Sequence, residues 1–241
     1  MVEKGSLLYE GKAKKLYKTN DSSVLWVEYK DEATAFNGEK KEKVSGKGSL
    51  TNIISSELFA YLRRQGVQSH FIEQVSPTEQ LIKPLSMIPL EVVVRFVAAG
   101  SLSKRLGIPE GEIFPQPIIE FYYKNDELGD PLLTEDHLEY LELLSPKEYA
   151  KVKVEAIIIF KYLQKLCDQS GLQLIDGKLE FGRTEDGSIM LGDEISPDTC
   201  RFWRKGTKER LDKDVFRLGT GDMVSVYEEF YQTIKGVSAH V

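Results

Sequence analysis

The chain of 241 residues is 41% apolar and 29% charged, with a formal net charge of −6. These proportions exclude default disorder and allow one large domain or two modest ones with proper cores. The acidic balance argues against a nucleic-acid partner; two cysteines, Cys167 and Cys200, fit neither a disulfide scaffold nor a metal spacing, and with only His70, His137 and His240 a zinc site is not expected.

The opening MVEKGSLLYE has no apolar signal core, and the runs PLEVVVRFVAAGSL and VEAIIIF are too short or too interrupted to span a bilayer, so a cytoplasmic protein without membrane partners is expected. SLLYE and KLYKT flank GKAK, and SSVLWVEYK follows an Asn20-Asp21 turn, which predicts an antiparallel meander with GKAK at a hairpin tip. Leu50, Ile53, Ile54, Leu58 and Tyr61 recur at helical spacing over 50–65, before Gly66. FIEQV and EQLIK read as strands. KPLSMIPLE, with Pro84 and Pro89, then predicts a boundary between an N-terminal lobe, 1–84, and a C-terminal lobe, 85–241, leaving a cleft. EVVVRFVAAG predicts a mostly buried strand and SLSKRLG a turn or two of helix, whereas the acidic surplus of 126–148 reads as solvated surface. Ser145-Pro146-Lys147-Glu148 has capping-box spacing with proline at the first helical position, and opens a long helix through Leu166 that Gly171 ends, with Cys167 on its apolar face. LQLID, KLEFG and IMLGDE predict three further strands. Asp222 caps a final helix with Val226, Phe230 and Ile234 inward. The sum is an α+β protein in two lobes, with antiparallel hairpins at the sheet edges.

Gly11-Lys12-Ala13-Lys14-Lys15 combines a flexible glycine with lysines on a hairpin, which suits either a clamp for phosphate oxygens or a solvated turn. Gly46-Lys47-Gly48-Ser49 fails the Walker spacing, because Lys41 stands where the first glycine belongs, and reads as a solvated lysine-rich turn. Arg95 ends the buried strand before Gly100-Ser101, Lys104 and Arg105, an arrangement that fits an anion site or, equally, an arginine paired with a carboxylate such as Glu91. In KLEFGRTEDGSIMLGDE a two-residue Asp186-Gly187 loop would set Phe181 against Gly192 and Glu180 against Asp193, with Cβ atoms about 5 Å apart. Such a pair needs a proton, solvent screening or a cation between its members. The polar loop Asp193 to Arg201 follows, so carboxylates and an arginine converge where Mg²⁺ could join two acidic groups to a phosphate.

GKAKKLY, ATAFNGEKKEKVSGKG, PLEVVVRFVAAGSLSKRLGI, FYYKNDELGDPL, LIDGKLEFG, LGDEISPDTCRFW and LDKDVFR follow one another in an order that resembles the phosphoribosylaminoimidazole-succinocarboxamide synthase (SAICAR synthetase) family over nearly the whole length. The resemblance implies a two-lobed, ATP-grasp-like fold with antiparallel sheets flanked by helices and an ATP cleft between the lobes. It implies a carbon-nitrogen ligase of de novo purine biosynthesis that joins L-aspartate to the carboxylate of CAIR with ATP and Mg²⁺. It also implies residue roles. Lys12 and Lys14 hold ATP phosphates, Lys124 lies near the phosphates in transfer, and Glu180 and Asp193 bind magnesium; Arg95, Ser101, Asp198 and Arg201 hold CAIR, and Lys178 and Lys213 lie near the site. A homodimer is the expected assembly. Three positions depart from the expected pattern: Phe96 in place of Asn, Gly177 in place of Phe, where it would loosen its strand, and Arg204 in place of an acidic residue.

A carboxylate is a poor electrophile, so the implied chemistry runs through an acyl phosphate that the aspartate amine attacks. Phosphoryl transfer is mostly positioning and charge neutralisation, which lysines and magnesium supply without a protein nucleophile. The same features suit a small-molecule kinase of similar two-lobed fold, or a nucleotide-sensing module that holds ATP without turnover. An RNA-binding role for the lysines of 40–47 is disfavoured by the acidic balance and the lack of an aromatic platform.

Overall fold

The computed structural model describes residues 1–35, 38 and 40–238; Phe36, Asn37 and Glu39 of the ATAFNGEKKEKVSGKG string, and His240 with its two neighbours, lie outside the described residues. The predicted meander forms as β1 (Lys4–Glu10), β2 (Lys14–Thr19) and β3 (Leu25–Tyr29), with the GKAK tip closed by Gly11 N–H donating to Lys14 O at 2.8 Å. The small antiparallel pair β4 (Glu32–Ala35) and β5 (Lys40–Lys43) leads to α1 (Lys47–Arg64). The strands β6 (Phe71–Ser76) and β7 (Glu79–Ile82) then return to β3, giving an antiparallel sheet in the order β1-β2-β3-β7-β6.

The second sheet begins with β8 (Ser86–Met87) and β9 (Leu90–Val97) and continues through α2 (Gly100–Leu106), β10 (Ile113–Tyr123), β11 (Leu132–Leu133), α3 (Glu135–Tyr140) and α4 (Pro146–Gln169). β12 (Leu172–Arg183), β13 (Ile189–Gly192), β14 (Cys200–Arg204), α5 (Asp214–Leu218) and α6 (Met223–Ser238) complete the described chain. LQLID and KLEFG, read as separate strands, are one: β12 runs unbroken between β9 and β14 along its first half, and pairs β13 and β8 along its second. β10 escapes the sequence pattern because Pro115 and Pro117 sit in its irregular first half, where the register to β9 shifts between Ile113 and Ile118.

α4 forms as its sequence demands. Ser145 Oγ accepts from Glu148 N–H at 3.3 Å while the Glu148 carboxylate accepts from Ser145 N–H at 2.8 Å, a closed capping box. Val152, Ala156, Ile159, Phe160, Leu163 and Cys167 make one buried stripe at helical spacing. This stripe joins α1, α6, β9 and β12 in a single core. Asp222 accepts from Ser225 N–H at the start of α6, whose inward residues are Tyr227, Phe230 and Ile234, with Val226 on the shoulder of the stripe. No helix among the described residues is long and apolar enough to cross a membrane.

Gly177 does not loosen its strand. It pairs with Val94 on one side and Cys200 on the other, and an ideal Cβ there would stand 2.5 Å from Cys200 Sγ and 2.8 Å from the Phe160 ring. The ring of Phe160, edge-on to Phe96 at 6.2 Å, occupies the space that a larger residue at 177 would need. Gly177→Ala is therefore expected to destabilise the protein by about 1–3 kcal/mol through overpacking. In a denaturant titration, Gly177→Ala combined with Cys200→Ala should lose less than the sum of the two single changes, because the nearest colliding atom is gone.

Candidate active site

Side chains two apart on a strand share a face, and β12 places Asp176, Lys178 and Glu180 in a row of alternating charge. β9 sets Arg95 opposite Asp176 and Val93 opposite Lys178, while β10 sets Glu120 opposite Val93 and Tyr122 opposite Glu91. The sheet thus has an apolar face under α4 and a charged face on the other side. That period-two signal, D-G-K-L-E, was available in the sequence and marks Asp176 as part of the site.

The hairpin that follows differs from expectation by one residue. Thr184 N–H donates to Ser188 O and Gly187 N–H to Thr184 O, both at 2.9 Å, so the loop holds three residues, with Gly187 at φ +80°. Every partner slips by one: Glu180 pairs with Gly192, Phe181 with Leu191 and Arg183 with Ile189. Asp193 lies just beyond the strand, in the left-handed conformation at φ +55°.

Lysines, not bare repulsion, surround the two carboxylates. Lys14 of β2 bonds Asp193 and stands 2.9 Å from Glu194 Oε2, a buried oxygen that has this ion contact but no hydrogen bond. Lys124 reaches Glu180 at 2.6 Å, and Lys178 bonds both Glu180, at 3.2 Å, and Glu91. Burial alone would raise the Asp193 carboxyl, but Lys14, then Lys178 and Lys124, hold it well below the usual carboxylate range. Burial likewise opposes the charge on Lys178, yet Glu180 and Glu91 raise it above its ordinary value. Glu91 is therefore the partner of Lys178 and not, as one reading had it, of Arg95.

Arg95 is 4% exposed and donates to Glu120 at 2.6 Å and Asp176 at 2.7 Å. Arg201 shares Asp176 and also donates to Asp214 at 2.8 Å, while its guanidinium lies against Gly100, where a Cβ would be 2.5 Å from Nη2. The two arginines so converge on Asp176, and Arg201 also reaches the start of α2, where Ser101 is exposed and Arg105 donates to Glu120 and to Tyr122 Oη. Asp212, fully buried, accepts from Phe202 N–H and Asp214 N–H, tying β14 to α5; burial and the neighbouring Asp214 push its carboxyl up to about 7.

Asp198 bonds Lys47, Lys213 at 3.0 Å and Tyr227 Oη at 3.2 Å. Burial is outweighed by Lys47 and Lys213, so its carboxyl also stays low. Lys47, expected in a solvated turn, is only 2% exposed; the Asp31 carboxylate takes the N–H groups of Gly46 and Gly48 and folds the loop back over it. Lys12 stays at the hairpin tip, 2.7 Å from Asp126, an exposed residue at the start of the acidic stretch, most of which is solvated surface as expected. The three groups share β12 and its flanks: Lys178 N–H donates to Thr199 O, beside Asp198. Among the described residues no cluster of three or more His, Cys, Asp or Glu is arranged for a metal. The carboxylates of Glu180 and Asp193 are hard oxygen donors of the kind Mg²⁺ takes, each held here by a lysine, and Glu194 Oε2 has only its contact with Lys14.

The profile of the SAICAR synthetase family matches residues 7–234. The phosphoribosylaminoimidazole-succinocarboxamide synthase of Bacillus subtilis is 56% identical over 236 residues, covering 98% of both chains. Of solved structures, the synthase from Ehrlichia chaffeensis superposes with a TM-score of 0.93 at 43% identity, over 95% of this chain and 98% of its own. A SAICAR synthetase in complex with ADP gives 0.92 at 47%, over 96% and 98%. A profile, a sequence and two structures that each span nearly the whole length leave one conclusion: the chain belongs to the SAICAR synthetase family.

Proposed function

We propose that this chain joins L-aspartate to the carboxylate of CAIR at the expense of ATP, giving SAICAR, ADP and phosphate in de novo purine biosynthesis. The observation that carries the proposal is the charged face of β12, where lysines and carboxylates converge in shared ion pairs suited to positioning phosphates. Cys167 and Cys200 are buried, and burial raises both thiols. Lys12 and Lys14 receive the ATP phosphates, and Lys124 meets the phosphoryl group in transfer to the CAIR carboxylate. Lys178 and Lys213 hold the Glu180 and Asp198 carboxylates in place. Arg95, Ser101, Asp198 and Arg201 form the CAIR side; the guanidinium of Arg201 against the Gly100 backbone is the feature that favours it there. Glu180 and Asp193 would hold Mg²⁺, which when bound neutralises phosphate charge. A CAIR carboxylate oxygen takes the γ-phosphoryl group and ADP leaves; the amine of aspartate then attacks the acyl carbon, phosphate departs, and the nitrogen loses a proton as the amide forms.

In this reading the N-terminal lobe is 1–84 and the C-terminal lobe 85–241, a division supported by the sheets, since the first is built from strands up to Ile82 and the second from Ser86 onward. The core is common to both, which favours lobes that move little as independent bodies. A cytoplasmic homodimer is the proposed form. The test is an assay with ATP, CAIR and L-aspartate, each left out in turn. ADP release that needs all three supports ligation; release without aspartate would instead mark a small-molecule kinase.

Lys12, 53% exposed and remote from the core, should be dispensable for folding. Lys12→Ala should raise KM for ATP about tenfold and leave the melting temperature unchanged; an unchanged KM and kcat would remove the tip from phosphate binding. Two facing, uncompensated carboxylates would make Asp193→Asn harmless to the ligand-free protein. Because Lys14 already neutralises Asp193, the variant should instead melt lower without ligands, by an amount corresponding to about 1–3 kcal/mol. It should also lose most of the further stabilisation that Mg²⁺ with ATP gives the wild type. Equal ligand-induced shifts in the two proteins would defeat the metal assignment.

A further inference from the structure

One buried side chain beside the site has no part in the chemistry above. His70 stands between α1 and β6 and is 4% exposed, its ring edge-on to Phe59 at 5.5 Å. Its main chain is fixed on both sides: the N–H donates to Leu191 O at 2.9 Å, and its carbonyl accepts from Lys83 N–H at 2.7 Å. Its ring Nε2 lies 3.0 Å from the carbonyl oxygen of Asp193. A carbonyl can only accept, so Nε2 carries the proton. One residue thus bonds two carbonyls of a single distant segment, those of Leu191 and Asp193, across Gly192.

That grip coincides with backbone strain. Among the described residues Asp193 is one of three non-glycine residues at positive φ, with Asp130 and Glu142, and it is the one whose side chain meets the lysine cluster. A left-handed aspartate persists only where its surroundings hold it. Its two ends are held from the first sheet: Lys14 of β2 takes the carboxylate, and His70, leading into β6, takes the carbonyl.

We propose that His70 is a positioning residue whose Nε2–H bond to the Asp193 carbonyl locks the left-handed turn and so aims the Asp193 carboxylate at its ligands. The proposal rests on the reading of Asp193 as a ligand of the ATP-bound cation, but its first test does not. In metal-free protein labelled with ¹⁵N, the three histidines of the sequence give a sparse spectrum, and the His70 signals are identified by their loss in His70→Gln. The Nε2–H tautomer at neutral pH is expected. An Nδ1–H tautomer would overturn the proposal whatever the enzyme does.

The second test compares His70→Phe, which keeps a ring without a donor, with His70→Gln, whose amide N–H reaches the position of Nε2. The expected result is that His70→Phe raises KM for ATP and the Mg²⁺ concentration for half activity by about tenfold or more, while KM for CAIR changes little, and that His70→Gln recovers most of the loss. If both variants lose activity alike with unchanged KM values, or if His70→Phe behaves as wild type, the proposal fails. Should His70→Phe not fold, His70→Gln alone decides: near wild-type Mg²⁺ dependence upholds the donor, and a tenfold loss in a folded protein defeats it. Wild-type protein that shows the Nε2–H tautomer but no ligase activity would remove the functional reading and leave the clamp standing.

Discussion

A charge taken out of water must be met by its opposite, and this constraint organises the charged face of the second sheet. Asp176 has two arginines, Lys178 has two glutamates, Glu180 has two lysines, and Asp198 has two lysines and a tyrosine hydroxyl. Each charge is shared, so no ion pair can be changed alone. A phosphate arriving on Lys14 or Lys124 would draw the ammonium from its carboxylate and leave Asp193 or Glu180 in need of positive charge. Anion and cation would therefore be favoured together at this surface, and each would raise the affinity for the other by linkage.

The opposite face of the same strand explains how such a surface can be rigid. Leu174, Leu179 and Phe181 of β12 join Phe160 and Leu163 of α4 in the core, and at Gly177 the helix comes so close that no side chain fits between. The charged row is thus carried on a strand that has neighbours on both edges and a helix pressed against its back. Side chains on such a strand lose little further freedom when a ligand binds, which is the physical content of preorganisation. Asp212 does the same for the arginine side, holding β14 and α5 through two backbone N–H groups.

Much of this was legible in the sequence where a single local rule governs. The capping box at Ser145, the periodic stripe of α4, the buried run of β9 and the GKAK tip all form as the residues dictate. What escaped was decided between elements. The dipeptide Asp186-Gly187 argues for a two-residue loop, but Thr184 and Ser188 close the ladder one step farther out, and that slip moves Asp193 off the strand. Lys47 resembles a solvated lysine until Asp31, sixteen residues earlier, and Asp198, far along the chain, fold around it. Arg95 sits where expected, yet its partners Glu120 and Asp176 are set by strand order, which no local pattern encodes. The family strings marked the candidate residues as a set; the ion pairs that join them needed the fold.

The bond between Lys12 and Asp126 ties the tip of the first hairpin to the turn after β10. Both side chains are more than half exposed, so salt screens the contact, and a pair of this kind contributes well under about 1 kcal/mol. It behaves as a latch with almost no spring. The tip can lift and resettle by side-chain and loop motion on the nanosecond to microsecond scale, far faster than a typical turnover of about 1–1,000 per second. Entry of a nucleoside triphosphate to the surface beneath would then be limited by its own diffusion and not by the hairpin, and the triphosphate would need to break only this one exposed contact to claim Lys12.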